Sequence, residues 1–180
     1  MAATHVALLR GINVGRAKRV AMADLRALVE GLGYRDVRTL LNSGNVIFTV
    51  PPPAKGDPAA RIERAIETRL GLASRVTVLT SDELAAVVAR NPLSKVAKDP
   101  SRLQVAVPRE RADRARLLPL TRRDWAPESL ALGPRVALLW CPKGMIKSPL
   151  AEAVARAMGD AVTTRNWATM TKLHALAVGA

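Results

Sequence analysis

The 180-residue chain is poor in cysteine, in aromatic side chains and in carboxylates. Cys141 is its single cysteine, which excludes an intramolecular disulfide, and no Cys/His cluster has the spacing of a zinc site. A reducing, cytoplasmic compartment is the expectation. One Phe, one Tyr and three Trp make up 3% of the residues, too few to build the base-stacking sheet of an RNA-recognition motif. No apolar run approaches the ~20 residues of a membrane span. The N-terminal stretch lacks the basic segment and apolar core of a signal peptide, so no export and no membrane partner are expected.

Catalytic groups are sparse as well. His5 and His174 lie far apart in the chain, and Ser43 has no Gly-x-Ser-x-Gly elbow around it. Asp24, Asp36, Asp82 and Glu83 sit at helix starts or in loops, where capping accounts for them. Neither a metal nor a cofactor is expected, and enzymatic activity stays open.

What the chain has in excess is positive charge: 28 Lys and Arg against 15 Asp and Glu, a net +13. The excess is spread along the chain, with 15 basic against 9 acidic residues in 1–100 and 13 against 6 in 101–180. Such a balance raises the local concentration of anionic partners, a nucleotide or a nucleic acid among them. A solvated basic surface set by composition is the alternative, since Arg outnumbers Lys by 21 to 7 and Ala is abundant.

Period and punctuation predict a strand over His5–Arg10, a basic glycine loop from Gly11 to Val20, and a helix carrying Met22, Leu25, Leu28, Val29 and Leu32. Strands over Asp36–Leu41 and Asn45–Val50 flank a Ser43-Gly44 turn. A helix over Pro58–Leu70, a strand over Arg75–Leu79 and a helix from Thr80–Glu83 to Arg90 complete β-α-β-β-α-β-α.

The same order follows again: a strand over Leu103–Val107, a helix over Arg109–Leu117 and a break around Pro119–Pro127. Strands over Glu128–Leu132 and Arg135–Cys141, a helix over Pro149–Met158, a strand over Ala161–Thr164 and a helix over Asn166–Val178 complete it. The repeated order predicts an α+β protein of two ferredoxin-like, split β-α-β subdomains, an apparent duplication with mainly antiparallel sheets backed by helices. The subdomains are expected at 1–98 and 99–180, forming one compact unit.

Several segments together are familiar. Ala7–Gly15, Met22 with Leu25, Leu32-Gly33-Tyr34 with Val37 and Thr39, Ser43–Val46 with Phe48, and Thr163–Trp167 with Leu173 resemble the bacterial domain of unknown function 1697 family, which is uncharacterised. Two departures stand out: Arg16 occupies a place where a second glycine is common, and Leu41 a place that is usually polar. The resemblance implies a small α+β protein of two related subdomains. It implies no activity, substrate or catalytic residue.

The strongest candidate site is therefore read from the residues themselves. Arg10, Gly11, Asn13, Gly15, Arg16, Lys18 and Arg19 lie between a strand and a helix, where glycines admit an anion to the backbone and cationic side chains hold it. The spacing is neither a P-loop nor Gly-x-Gly-x-x-Gly. Cys141–Pro149 is taken as the corresponding region of the second half, with Lys147 as a phosphate contact and Ser148 as a helix cap; Cys141 itself reads as a buried thiol.

Arg165, Asn166 and Trp167 join the last strand to the last helix, where Arg beside Trp suits a phosphate and a base, or Asn166 simply caps the helix. At the hairpin tip, Asn42, Ser43 and Asn45 serve either the turn or a ligand beside Arg10.

The leading reading is a binding protein for a phosphate-bearing ligand, nucleotide or nucleic acid, held by Arg10, Lys18, Arg19, Asn13 and Arg165. A small-molecule enzyme using Ser43, Asn45 and Arg165 at an inter-subdomain cleft, or a structural or protein-interaction module, are the alternatives. Oligomeric state is not legible.

Overall fold

A computed structural model describes residues 2–53 and 55–179. Two four-stranded antiparallel sheets are backed by helices, and both have the same strand order. The first contains β1 (Ala3–Leu9), β2 (Arg35–Leu40), β3 (Asn45–Val50) and β4 (Val76–Thr80), arranged β2-β3-β1-β4. The second contains β5 (Leu103–Pro108), β6 (Ser129–Leu132), β7 (Ala137–Trp140) and β8 (Val162–Asn166), arranged β6-β7-β5-β8. The duplicated split β-α-β layout is thus present in both halves. By compactness the chain divides into residues 1–82 with 173–180, and residues 83–172.

In the first unit, α1 (Met22–Glu30) and α2 (Pro58–Leu70) cover one face of the sheet. Leu25, Leu28 and Val29 of α1 and Ile62, Ala65 and Ile66 of α2 recur at three and four, so one stripe of each helix is apolar. They meet Ala7, Leu9, Val46, Phe48 and Val76 in a shared core. Val6, Leu8 and Ile47, on the opposite face, are also fully buried, which is why β1 and β3 read as continuous apolar runs and not as alternating ones. Asp57 caps α2 by accepting from the Ala59 and Ala60 N–H groups at 3.3 and 3.0 Å, and Gly71, at φ 66°, ends it.

In the second unit, α4 (Pro149–Met158) packs Leu150, Ala151, Val154 and Met158 against Ala106, Ala137, Leu139 and Cys141. Two further helices, α3 (Ser81–Ala89) and α5 (Trp167–Val178), follow β4 and β8. α3, which element order alone assigns to the first half, falls largely within 83–172.

Two expectations need correction. Residues 109–117 do not form an α-helix: Arg111–Arg122 is a 3-10 helix that runs across Pro119, where a break was expected. Only Leu117 and Leu120 of this charged segment are buried, and a spacing of three places both on one edge at three residues per turn. Nor is 141–148 the counterpart of the first glycine loop. It follows β7, the third strand of its sheet, and so matches residues 51–57; the counterpart of 10–20 begins after Pro108.

Candidate anion-binding site

Three loops of the first unit meet where β1 ends: 10–20, 41–44 and 71–75. Backbone bonds seam them together, from Leu9 N to Gly44 O at 2.9 Å and from Arg10 N to Arg75 O at 2.8 Å. Ser74 Oγ donates to Arg10 O at 2.9 Å, and Lys18 Nζ to Ala73 O at 2.9 Å. Ile12 and Val20 are buried in the core beneath, so the long loop is anchored at two points.

Asn13 is the clasp between them. Its left-handed backbone, at φ 54°, turns the amide inward, where Oδ1 accepts from Val20 N at 2.8 Å. Nδ2 donates to Val20 O at 2.9 Å and to Asn42 O at 2.7 Å. The amide thereby imitates a strand partner for Val20 and ties the loop to the hairpin tip. Its hydrogen-bonding groups are engaged within the fold, which makes Asn13 a residue that shapes the site rather than one aimed out of it.

Asn45 behaves similarly. It is fully buried, and its Nδ2 donates to Leu40 O at 2.7 Å and to Ser43 Oγ at 3.0 Å. Ser43 is exposed at the tip.

The clasp leaves cations on the outside. Arg16, Lys18 and Arg19 are exposed and Arg10 is half-buried, while Gly11 and Gly15 are exposed with open space above each. Val14 and Leu41 stand 69% and 52% exposed among them. Not one Asp or Glu occurs in 10–20, 41–44 or 71–75, against five basic residues. Arg75 lies 4.0 Å from Glu63, a carboxylate of α2 that also accepts from Val76 N at 2.7 Å.

The equivalent end of the second sheet makes an internal comparison. Arg109 follows β5 as Arg10 follows β1, and its N–H bonds the carbonyl of Ala161 at 2.8 Å, just as Arg10 bonds Arg75. Here the charge is answered locally. Glu83 Oε1 takes an ion pair from Arg111 and lies 3.5 Å from Arg135 Nε, and Glu110 lies 4.0 Å from Arg109. Only 7% of the Arg135 side chain is exposed, and its guanidinium donates to Pro108 O at 2.5 Å and Arg109 O at 3.0 Å. Burial lowers its pKa and Glu83 opposes that shift. Nothing in the sequence marks Arg135 for this role, because it depends on which carbonyls the hairpin brings within reach.

The remaining sequence candidates lie in the second unit. Lys147 is exposed on the loop before α4, and Ser148 caps that helix by accepting from Ala151 N at 2.9 Å. Cys141 is buried in the core 3.5 Å from Ser148 Oγ, and burial pushes its thiol pKa up. Arg165 sits on β8 opposite Val105, on the sheet face turned away from α4, and burial pushes its pKa down to about 10. Its Nη1 donates to Thr164 O at 3.0 Å. Asn166 caps α5 through Thr169 N at 2.8 Å, and Trp167 begins that helix half-buried. Arg10, Lys18, Arg19, Ser43 and Asn45 therefore share the first unit, while Lys147, Arg165, Asn166 and Trp167 belong to the second.

Of the two histidines, His5 stacks on Phe48 at 5.6 Å and bonds Ala3 O at 2.9 Å. Among the described residues no group of three His, Cys, Asp or Glu side chains could hold a metal, and no helix is long and apolar enough to cross a membrane.

The profile of a family described as protein of unknown function (DUF1697) matches residues 2–137. The chain belongs to this family. The match takes in the first loop and the hairpin tip; Thr163–Trp167 lies beyond it. Among solved structures, the DUF1697 chain is similar to the conserved bacterial protein SP0830 from Streptococcus pneumoniae, at 21% identity and a TM-score of 0.75, over 98% of this chain and 99% of that one. At that identity the likeness concerns the fold. No curated protein matches the sequence.

Proposed function

We propose that this DUF1697 protein binds the phosphates of a nucleic-acid backbone at the loop end of its first sheet. The observation that carries the reading is an asymmetry between equivalent places. Three seamed loops carry Arg10, Arg16, Lys18, Arg19 and Arg75 with no Asp or Glu among their own residues, Glu63 of α2 lying beside Arg75, whereas the matching end of the second sheet has Glu110 in its own loop and Glu83 of α3 against its arginines. Exposed cations on a preformed loop suit a chain of phosphates, since each contact releases condensed counterions. Exposed Val14 and Leu41 offer apolar contact to sugar or base, and a cytoplasmic setting accords with the single buried thiol.

Anisotropy of a labelled single-stranded oligonucleotide, titrated at several salt concentrations, tests this. About four phosphate contacts correspond to a log–log slope of about −3, and the triple variant R16E/K18E/R19E is expected to flatten it by about 2. Salt-insensitive binding, or a triple variant that binds like the parent, would overturn the assignment. Saturable binding of a nucleoside triphosphate without the oligonucleotide would shift the reading to a compact nucleotide site.

A further inference from the structure

A second site lies in the other unit, beside the loop that joins β7 to α4. A cleft of about 480 Å³ opens there, within the usual size range of small-molecule sites. Trp125, Pro127, Pro142 and Pro149 give it apolar walls, and Lys143 and Lys147 stand beside them. The surrounding loop is held in place: Cys141 N donates to Arg102 O at 3.1 Å and Gly144 N to Cys141 O at 2.9 Å. Gly144, at φ 88°, lies so close beneath the Arg102 guanidinium that a Cβ would come within 2.7 Å of it. The cleft is thus preformed, which lowers the ordering cost of filling it.

Its polar groups are divided by sign. Glu128 Oε2 accepts from Leu150 N at 3.0 Å, and Asp124 Oδ1 accepts from Ala126 N at 3.0 Å, so one oxygen of each lining carboxylate is engaged by the backbone. The Trp125 indole N–H is likewise committed, to Leu120 O at 2.8 Å, which fixes the ring as a wall. Lys143 and Lys147, by contrast, are exposed and have no hydrogen bond or ion pair among the described residues.

We infer that this cleft binds a small ligand joining one aromatic ring system to one acidic group, the ring lying against Trp125 and the prolines and the acid reaching the two ammonium groups. An aromatic carboxylate and a nucleoside monophosphate share that chemistry. All its lining residues belong to the second unit, and the inference does not rest on the proposed function of the first.

The fluorescence of 8-anilinonaphthalene-1-sulfonate, titrated into the folded protein, provides the test. K143Q/K147Q changes only exposed side chains, and circular dichroism checks that it is folded. It is expected to raise the Kd about tenfold, while K18E/R19E leaves it within about twofold. Displacement by adenosine monophosphate identifies a phosphate ligand, and displacement by benzoate a carboxylate. Unchanged binding by K143Q/K147Q, equal weakening by K18E/R19E, or displacement by neither competitor would overturn the inference.

Discussion

Gly44 and Arg135 occupy the same place in the two sheets. Ala7 pairs with Val46 and Ala106 with Ala137, so the residues two before each partner correspond, and both adopt a left-handed backbone at φ 85° and 68°. At Gly44 a Cβ would lie 2.6 Å from Ile12 Cδ1 and 2.9 Å from Leu9 Cβ, because the anchoring residue of the first loop presses on the turn. In the second unit the same backbone carries an arginine whose guanidinium binds the carbonyls of Pro108 and Arg109. One conformation thus serves two purposes, close approach in one sheet and cross-linking in the other. Gly44→Ala is expected to lose about 3 kcal/mol, from the left-handed penalty together with overpacking against Ile12. Urea denaturation checks this through a lower midpoint with an unchanged m-value.

At the scale of elements, proline and capping chemistry set the helix starts. Pro58 and Pro149 begin α2 and α4 after Asp57 and Ser148, each of which accepts from first-turn N–H groups. Ser148 is only 4% exposed and also touches Cys141, so its hydroxyl joins the helix start to the core. Ser148→Ala is expected to cost about 2 kcal/mol, at the upper end for a lost cap, and Asp57→Ala about 1 kcal/mol, because the Asp57 cap faces water more openly. A reversal of that order in thermal melts would show that the Cys141 contact adds nothing.

Elements with strong punctuation were legible in the sequence, as α2, β3 and α4 match their expected bounds. The 3-10 helix was not, since Leu117 and Leu120 satisfy a spacing of three and an amphipathic α-helix equally.

For the whole molecule the dominant quantity is the net charge of +13. Like charges repel in the folded chain, and salt screens them at distances beyond about 10 Å near 0.1 M ionic strength. Raising NaCl from about 10 to about 150 mM is therefore expected to raise Tm by roughly 2–4 °C, while it weakens oligonucleotide binding. Opposite signs for the two effects in one salt series would separate self-repulsion from ligand attraction. A Tm that falls with salt would instead mean that surface ion pairs such as Arg26–Glu30 and Arg156–Glu152 outweigh the repulsion.

By itself the sequence determined the class of fold, the repeated element order and the basic first loop, because periodicity, turn residues and charge are local properties. It also carried the family resemblance, through five short motifs in order. Tertiary structure decided which of the chemistry-bearing residues remain available to a ligand. Asn13 and Asn45 read as ligand contacts, and the fold engages their amides in closing a loop and a turn; Arg165 reads as a phosphate contact beside Trp167, and the fold sets it half-buried on β8. The cleft beside Trp125 depends on two separate stretches drawn together, residues 124–128 ahead of β6 and the loop from Pro142 to the start of α4 at Pro149. Contacts of that kind are set by topology and packing, which no local pattern of residues encodes.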